Sequence, residues 1–215
     1  MLLENYIDHT LLKPDATLLE IEKLCEEAKT YHLYAVCVHG CHLETCKEAL
    51  NGTRVKLVTV AGFPTGAHLT ETKCFEARLG IELGADEIDM VMNIGWMKSG
   101  EYGLVGAEIA QVKRTIGDKV LKVILETCYL DRNEKRLACE MAIGAGADFV
   151  KTSTGFGPLG ATFEDVALIK QWVGDAIGIK ASGGIKDAAT AKKYLSMGAS
   201  RIGTSSGAAM LAALN

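Results

Sequence analysis

Two lysines and an aspartate stand where apolar residues would pack better. Lys151 follows Ala147-Asp148-Phe149-Val150 and precedes the polar turn Thr152-Ser153-Thr154-Gly155. Lys180 follows Ile179 and precedes Ala181-Ser182-Gly183-Gly184, so both lysines read as strand-terminal. Asp89 lies in Glu87-Ile88-Asp89-Met90-Val91-Met92, where alternation sets it opposite an Ile/Met face. Unpaired charge in an apolar core is costly, so such residues have no packing use. If the lysines face one another, like charge and desolvation favour the neutral amine on one of them. A free amine is what attack on a carbonyl requires. A nearby carboxylate can pair with the remaining cation and relay protons.

Two glycine-rich turns offer a second kind of chemistry. Ser182-Gly183-Gly184 and Gly203-Thr204-Ser205-Ser206-Gly207 let backbone N–H groups approach an anion, and Ser205 and Ser206 add donors. Helices that follow would favour negative charge at their N-termini. The expected ligand is a phosphate. A third cluster, Cys37-Val38-His39-Gly40-Cys41-His42 with Cys46, raises a metal reading. Its spacing has no CxxC and no second cluster at zinc-site distance, so no metal is assigned. Cys37 ends a strand and is expected to line the pocket as a reactive thiol.

These residues need a scaffold. Short β-rich runs occur at Tyr6–Asp8, Ala35–Val38, Lys56–Val60, Glu87–Met92, Lys122–Glu126, Phe149–Lys151, Ile179–Ala181 and Arg201–Gly203. Helical patterns lie between them at Leu18–Tyr31, Leu69–Leu83, Tyr102–Ile116, Asn133–Ile143, Thr162–Val173 and Ala188–Met197. Thr17 and Asp187 are suited to cap two of these helices. Strands alternating with helices imply parallel pairing through right-handed crossovers. Eight such units predict a closed (β/α)₈ TIM barrel. The rival, an open doubly wound sheet, usually carries GxGxxG after its first strand, and none follows Asp8. In the barrel, chemistry gathers at the carboxyl ends of strands, with phosphate often held after strands 7 and 8.

An internal repeat supports this frame. Gly84-Ala85-Asp86-Glu87-Ile88-Asp89, Gly146-Ala147-Asp148-Phe149-Val150-Lys151 and Gly198-Ala199-Ser200-Arg201-Ile202-Gly203 share a pattern. Each glycine is suited to end a helix in a left-handed conformation. The repeat puts Asp89, Lys151 and Gly203 in equivalent places, facing the mouth.

Composition bounds the rest. The 215 residues carry a net charge of −4, which gives no electrostatic footprint for nucleic acid. No run approaches a membrane span, and the first residues, with Glu4 and Asp8, do not read as a signal peptide. Seven cysteines, an odd number, read as reduced thiols in the cytoplasm. No linker divides the chain, so one domain over 1–215 is expected.

Six ordered motifs then carry a resemblance over nearly the whole chain. They are Asp8-His9-Thr10-Leu11-Leu12-Lys13-Pro14, Gly62-Phe63-Pro64-Thr65-Gly66, Glu87-Ile88-Asp89-Met90-Val91, Lys151-Thr152-Ser153-Thr154-Gly155-Phe156, Lys180-Ala181-Ser182-Gly183-Gly184-Ile185 and Gly203-Thr204-Ser205-Ser206-Gly207. The chain resembles the deoxyribose-phosphate aldolases, lysine-dependent class I aldolases. The resemblance implies reversible cleavage of 2-deoxy-D-ribose 5-phosphate to acetaldehyde and D-glyceraldehyde 3-phosphate, in deoxyribonucleoside catabolism, without a cofactor. It assigns the Schiff base to Lys151 and the acid/base pair to Asp89 and Lys180. Phosphate contacts fall on Gly184, Gly203, Ser205 and Ser206, and substrate-side positions on Asp8, Thr10 and Thr152. It also implies a cytoplasmic homodimer or homotetramer. Longer members end in a tyrosine-bearing tail; here, with the last residue Asn215, proton shuttling is expected of Asp89, Lys180 and water. Two rivals remain: a metal-dependent aldolase using the His/Cys cluster, and a phosphometabolite-binding barrel without turnover.

Overall fold

The computed structural model describes residues 2–214. Eight parallel strands close into a barrel in chain order, with β8 returning to pair with β1. They are β1 (Ile7–Leu11), β2 (Ala35–Val38), β3 (Lys56–Ala61), β4 (Glu87–Val91), β5 (Val120–Ile124), β6 (Phe149–Lys151), β7 (Gly178–Ser182) and β8 (Arg201–Thr204). The helices outside are α1 (Leu18–Thr30), α2 (Leu43–Ala49), α3 (Thr70–Glu82), α4 (Ile94–Lys98), α5 (Tyr102–Ile116), α6 (Arg132–Gly144), α7 (Phe163–Val173), α8 (Ala188–Ser196) and α9 (Gly207–Ala212). No described helix is long and apolar enough to cross a membrane.

The expected caps form. Thr17 and Glu20 make a reciprocal capping box on α1, and Asp187 accepts from the Thr190 N–H on α8. The strand limits differ at two places that matter. β1 runs to Leu11, while Tyr6 belongs to a 3₁₀ turn, Leu3–Tyr6. β5 starts at Val120, so Lys122 is mid-strand rather than at its edge. Lys180 is also mid-strand, in β7, and Asp89 is the centre of β4. The short α4 was not expected as an element, because little more than one turn gives too little periodicity to recognise.

The Gly-Ala-Asp/Ser repeat is a register clamp as well as a helix stop. Gly84, Gly146 and Gly198 all have positive φ, at 110°, 78° and 106°. Each donates its N–H back into the helix it ends, to Ile81, Ile143 and Leu195. The third residue of each repeat then grips the preceding strand. Asp86 accepts from the Leu57 N–H at 3.0 Å, Asp148 from Leu121 at 2.8 Å, and Ser200 from Ile179 at 3.3 Å. A one-residue slip would turn every inward side chain outward, so this grip decides which residues face the barrel interior.

That interior has two halves. An apolar cluster of Leu12, Ala35, Cys37, Val58 and Val60 fills it beside β1 to β3. Charged residues from β1, β4, β5, β6, β7 and β8 fill the rest. The turn Gly62–Gly66 lies over the carboxyl end of β4, where a Cβ on Gly66 would come 2.1 Å from the Met92 carbonyl oxygen. Gly66 also has φ +70°, so both space and backbone demand glycine. Gly66→Ala is expected to cost about 1–3 kcal/mol in urea unfolding. An unchanged urea midpoint would show that the turn is not seated there.

Candidate active site

The charged half of the interior is one ion-paired stack. Deepest lies Arg201 of β8, which donates to Asp8 at 3.0 Å and Glu87 at 3.2 Å and covers the Tyr34 ring at 3.6 Å. Lys122 of β5 reaches Glu87 and Asp89 Oδ1, both at 2.6 Å. Lys180 of β7 donates to Asp8 and, at 2.8 Å, to Asp89 Oδ2. Lys151 of β6 donates to the same Asp89 Oδ2 at 2.9 Å. Parallel pairing aligns Asp89 with Lys122, and Lys151 with Lys180. Three carboxylates thus meet four basic side chains.

Burial opposes charge at every member, and the partners decide which stay ionised. Burial would raise the Asp89 pKa, but Lys122, Lys151 and Lys180 outweigh it and hold it well below the carboxylate range. Asp8 is lowered to about 2, with burial outweighed by Lys180, Arg201 and Lys122. Lys180 goes the other way from a buried amine: burial is overcome by Asp8 and Asp89, and its pKa rises. Lys122 rises too, burial being overcome by Asp89 with help from Asp8 and Glu87. At Lys151 burial wins, and nearby Lys180 adds to it against the pull of Asp89, so its pKa falls. Neutrality of the stack is reached when Lys151 is the uncharged base.

Lys151 is also the member that reaches the mouth. A cavity of about 370 Å³ is lined by Lys151 together with Thr10, Phe156, Gly183, Gly184, Gly203 and Ser205, among others. Both expected glycine turns therefore face the amine. Gly183 and Gly184 have positive φ, +89° and +79°, as the loop required. A Cβ on Gly203 would come 3.0 Å from Lys180 Cε, so Gly203 leaves room beside that chain. Two cations that the sequence reading passed over, Lys13 and Lys186, line the same cavity. The dipole expectation changes at α8: the Asp187 carboxylate already caps its N-terminus, so anion binding there would fall to the loop backbone and Lys186.

Several expected contacts lie behind the cavity wall instead of on it. Asp8 is fully buried and committed to Lys180 and Arg201. Asp89 and Lys180 sit directly beneath Lys151 and are fully buried. Thr152 donates to the Ser182 carbonyl at 3.1 Å and ties β6 to β7. Ser206 lies next to the lining and gives its N–H to the Thr204 hydroxyl at 2.9 Å. Cys37 corrects the reactive-thiol expectation: it is buried in the apolar half, off the cavity wall, and burial pushes its thiol up to about 11. The other His/Cys residues do not converge. His39 meets the Leu12 carbonyl at 3.0 Å, and Cys46 packs with Cys25. Among the described residues no three His, Cys, Asp or Glu side chains gather as a metal site.

Comparison with known proteins agrees over the whole chain. The model of the DeoC/LacD family aldolase matches residues 3–213. The deoxyribose-phosphate aldolase of Coprothermobacter proteolyticus is 55% identical over 199 residues, covering 93% of this chain and 91% of that one. Among solved structures, the aldolase QR15 superposes with a TM-score of 0.95 at 42% identity, covering 99% of this chain and 95% of that chain. A tetrameric deoxyribose phosphate aldolase from Aeropyrum pernix superposes with a TM-score of 0.89 at 33% identity, covering 99% and 90%.

Lys122 tests the stack itself. Lys122→Met leaves Asp89 Oδ1 and Glu87 short of a cation inside the barrel. Breaking a buried pair from one side costs about 3–5 kcal/mol, and a loss of that size is expected in urea unfolding. A loss below 1 kcal/mol would mean that water or rearrangement compensates the carboxylates.

Proposed function

The chain belongs to the DeoC/LacD family of aldolases, and on that premise we propose that it cleaves 2-deoxy-D-ribose 5-phosphate reversibly to acetaldehyde and D-glyceraldehyde 3-phosphate through an imine on Lys151. The observation that carries this is the placement of Lys151, the one amine of the stack that lines the cavity, buried 2.9 Å from Asp89 Oδ2; burial there lowers its pKa. A neutral lysine attacks the C1 aldehyde to give a carbinolamine, which loses water to become an iminium. Acetaldehyde has two carbons, so the bond that breaks is C2–C3. Its electron pair flows into the iminium and forms an enamine, while the C3 hydroxyl passes its proton to water in the cavity and becomes the new aldehyde. Protonation at C2 and hydrolysis then release acetaldehyde and restore Lys151.

Asp89 Oδ2 is the acceptor beside the Lys151 nitrogen, at 2.9 Å, and takes the proton shed as the carbinolamine forms. Lys180 shares that oxygen and stays charged. Its part in the proposed pair is to hold Asp89 and to discourage a second cation, with water carrying protons to the cavity. Gly183, Gly184, Gly203, Ser205 and Ser206 with Lys13 and Lys186 form the phosphate end, and Thr10 flanks the sugar. Asp8 and Thr152 support the site from behind. The proposal includes a cytoplasmic homodimer or homotetramer that acts on small phosphorylated sugars and aldehydes. The net charge of −4 favours neither nucleic acid nor an acidic membrane surface as partner.

Borohydride added with acetaldehyde is expected to leave an ethyl group on Lys151, found by peptide mapping. Lys151→Ala should abolish trapping and lower kcat/KM by on the order of a thousandfold or more. Turnover near wild type in that variant would remove the imine mechanism. Retained ligand binding without cleavage by the wild type would favour the non-catalytic barrel, and loss of activity with chelator the metal-dependent one.

Lys180→Leu changes the amine's proton balance. It removes a positive neighbour and leaves Asp89 Oδ2 to Lys151 alone. Both effects favour the charged amine, so the Lys151 pKa rises. Less free amine is then present near neutrality, and the ascending limb of the pH–activity profile should move to higher pH. A limb at the wild-type position would rule out like-charge tuning.

A further inference from the structure

One buried carboxylate at the barrel mouth has no part in the chemistry above. Glu126 lies two residues beyond β5 and is 2% exposed. Its backbone is left-handed, with φ 52° and ψ 64°. That conformation is uncommon for a residue with a side chain, and it gathers at functional sites where the surroundings enforce it. Both carboxylate oxygens accept from the Thr154 N–H, each at 3.2 Å, and Oε2 also accepts from the Thr154 hydroxyl. The Thr154 hydroxyl oxygen in turn accepts from the Phe156 N–H at 3.0 Å. Gly157 closes over the carboxylate, for a Cβ there would come 3.3 Å from Glu126 Cδ.

The segment so clasped is a wall. Thr154, Gly155 and Phe156 line the cavity that holds Lys151. Thr154, Phe156 and Gly157 also line a second cavity at the mouth, about 350 Å³, with Pro64, Ile94 and Tyr129. Phe156 stacks edge-on against Phe63, centroids 5.4 Å apart. On the other side Gly155 packs by Gly183, in the loop assigned above to phosphate. The segment therefore runs from the side cavity to the phosphate loop, and Glu126, just beyond β5, anchors it from its buried side.

We propose that Glu126 is a positioning residue: by clasping Thr154 it fixes the Gly155–Phe156 wall against the Gly183–Gly184 loop and so governs binding of the phosphorylated end of the substrate. The proposal rests on the aldolase reading above and assigns Glu126 no contact with the reacting carbon. Burial raises the Glu126 pKa above the usual carboxylate value, against the Thr154 donors and Lys151, which lower it.

The test uses the full chain as Glu126→Leu, Glu126→Gln and Thr154→Val, with two readouts. The first is steady-state cleavage of 2-deoxyribose 5-phosphate; the second is borohydride trapping with acetaldehyde alone, which needs Lys151 and no phosphate end. Glu126→Leu should raise KM about tenfold with kcat within about threefold of wild type. Glu126→Gln keeps one acceptor oxygen and should raise KM less, by about threefold, as should Thr154→Val. The double variant Glu126→Leu/Thr154→Val should be no worse than Glu126→Leu, since both break one clasp. Trapping should stay within about twofold of wild type throughout. A wild-type KM in folded Glu126→Leu, or in Thr154→Val should the leucine variant not fold, overturns the proposal. So does additivity in the double variant, or loss of trapping, which would put Glu126 in the chemistry. If the wild type itself neither traps nor cleaves, the aldolase reading has failed and the role of Glu126 in binding falls with it.

Discussion

One carboxylate shared by three lysines governs this molecule. Asp89 gives one oxygen to Lys122 and the other to both Lys180 and Lys151. In water such sharing is cheap, because solvent satisfies whatever the carboxylate cannot. Inside a closed barrel every group must find its partner in the protein, and a surplus charge has nowhere to go. With Asp8, Glu87 and Asp89 set against Arg201, Lys122, Lys180 and Lys151, one base is in excess. The excess weighs most where burial is least compensated, at Lys151, and there the pKa falls. The lowered pKa of Lys151 is thus a consequence of how the barrel balances its interior, and no special property of the lysine is needed.

The constraint explains features that look unrelated. The stack draws on six strands, so it forms only when the sheet is closed and in register. The three Gly-Ala-Asp/Ser clamps hold that register from outside, at the strands carrying Asp89, Lys151 and Gly203. The apolar half of the interior beside β1 to β3 keeps water from the other side. Such a stack is weak support for stability, since buried ion pairs only about repay their desolvation. What it supplies is preorganisation: the charges around the Lys151 nitrogen are already oriented beside the cavity.

How much of this could be read from the chain depends on what each residue announces locally. The strands Ala35–Val38 and Phe149–Lys151 and the helix Tyr102–Ile116 have the limits that their patterns predict. Asp89, Lys151 and Lys180 stood out because each interrupts an apolar strand, and the fold brings all three together. Lys122 interrupts one too, in Val120-Leu121-Lys122-Val123-Ile124, but starting the strand at Lys122 disguised it as an edge residue. Glu87 and Arg201 begin their strands, where charge is ordinary, and only three-dimensional pairing reveals them as the floor of the stack. Cys37 was misjudged for the same reason in reverse. A strand end faces the mouth only if the neighbouring strands end level with it, and Leu12 and Val60 pack in the same apolar cluster instead. Glu126 gave no local signal, since its meaning lies in a loop 28 positions away.

The remaining question is why the pKa falls at Lys151 and rises at Lys180, when Lys180 is buried at least as deeply. Depth alone would choose Lys180, which is 0% exposed against 3% for Lys151. Partners decide otherwise. Lys180 meets two carboxylates, Asp8 and Asp89, whereas Lys151 meets Asp89 alone and only through an oxygen that Lys180 already holds. Each charge on Lys180 therefore acts twice on Lys151, by direct repulsion and by drawing off the negative charge that would have stabilised it. Deprotonating Lys180 instead would leave Asp8 and Asp89 undercompensated at the fully buried level, the more expensive arrangement. The asymmetry is set by Asp8, a residue in the first strand with no place on the cavity wall. By holding Lys180 charged it leaves Lys151 as the amine whose pKa burial lowers.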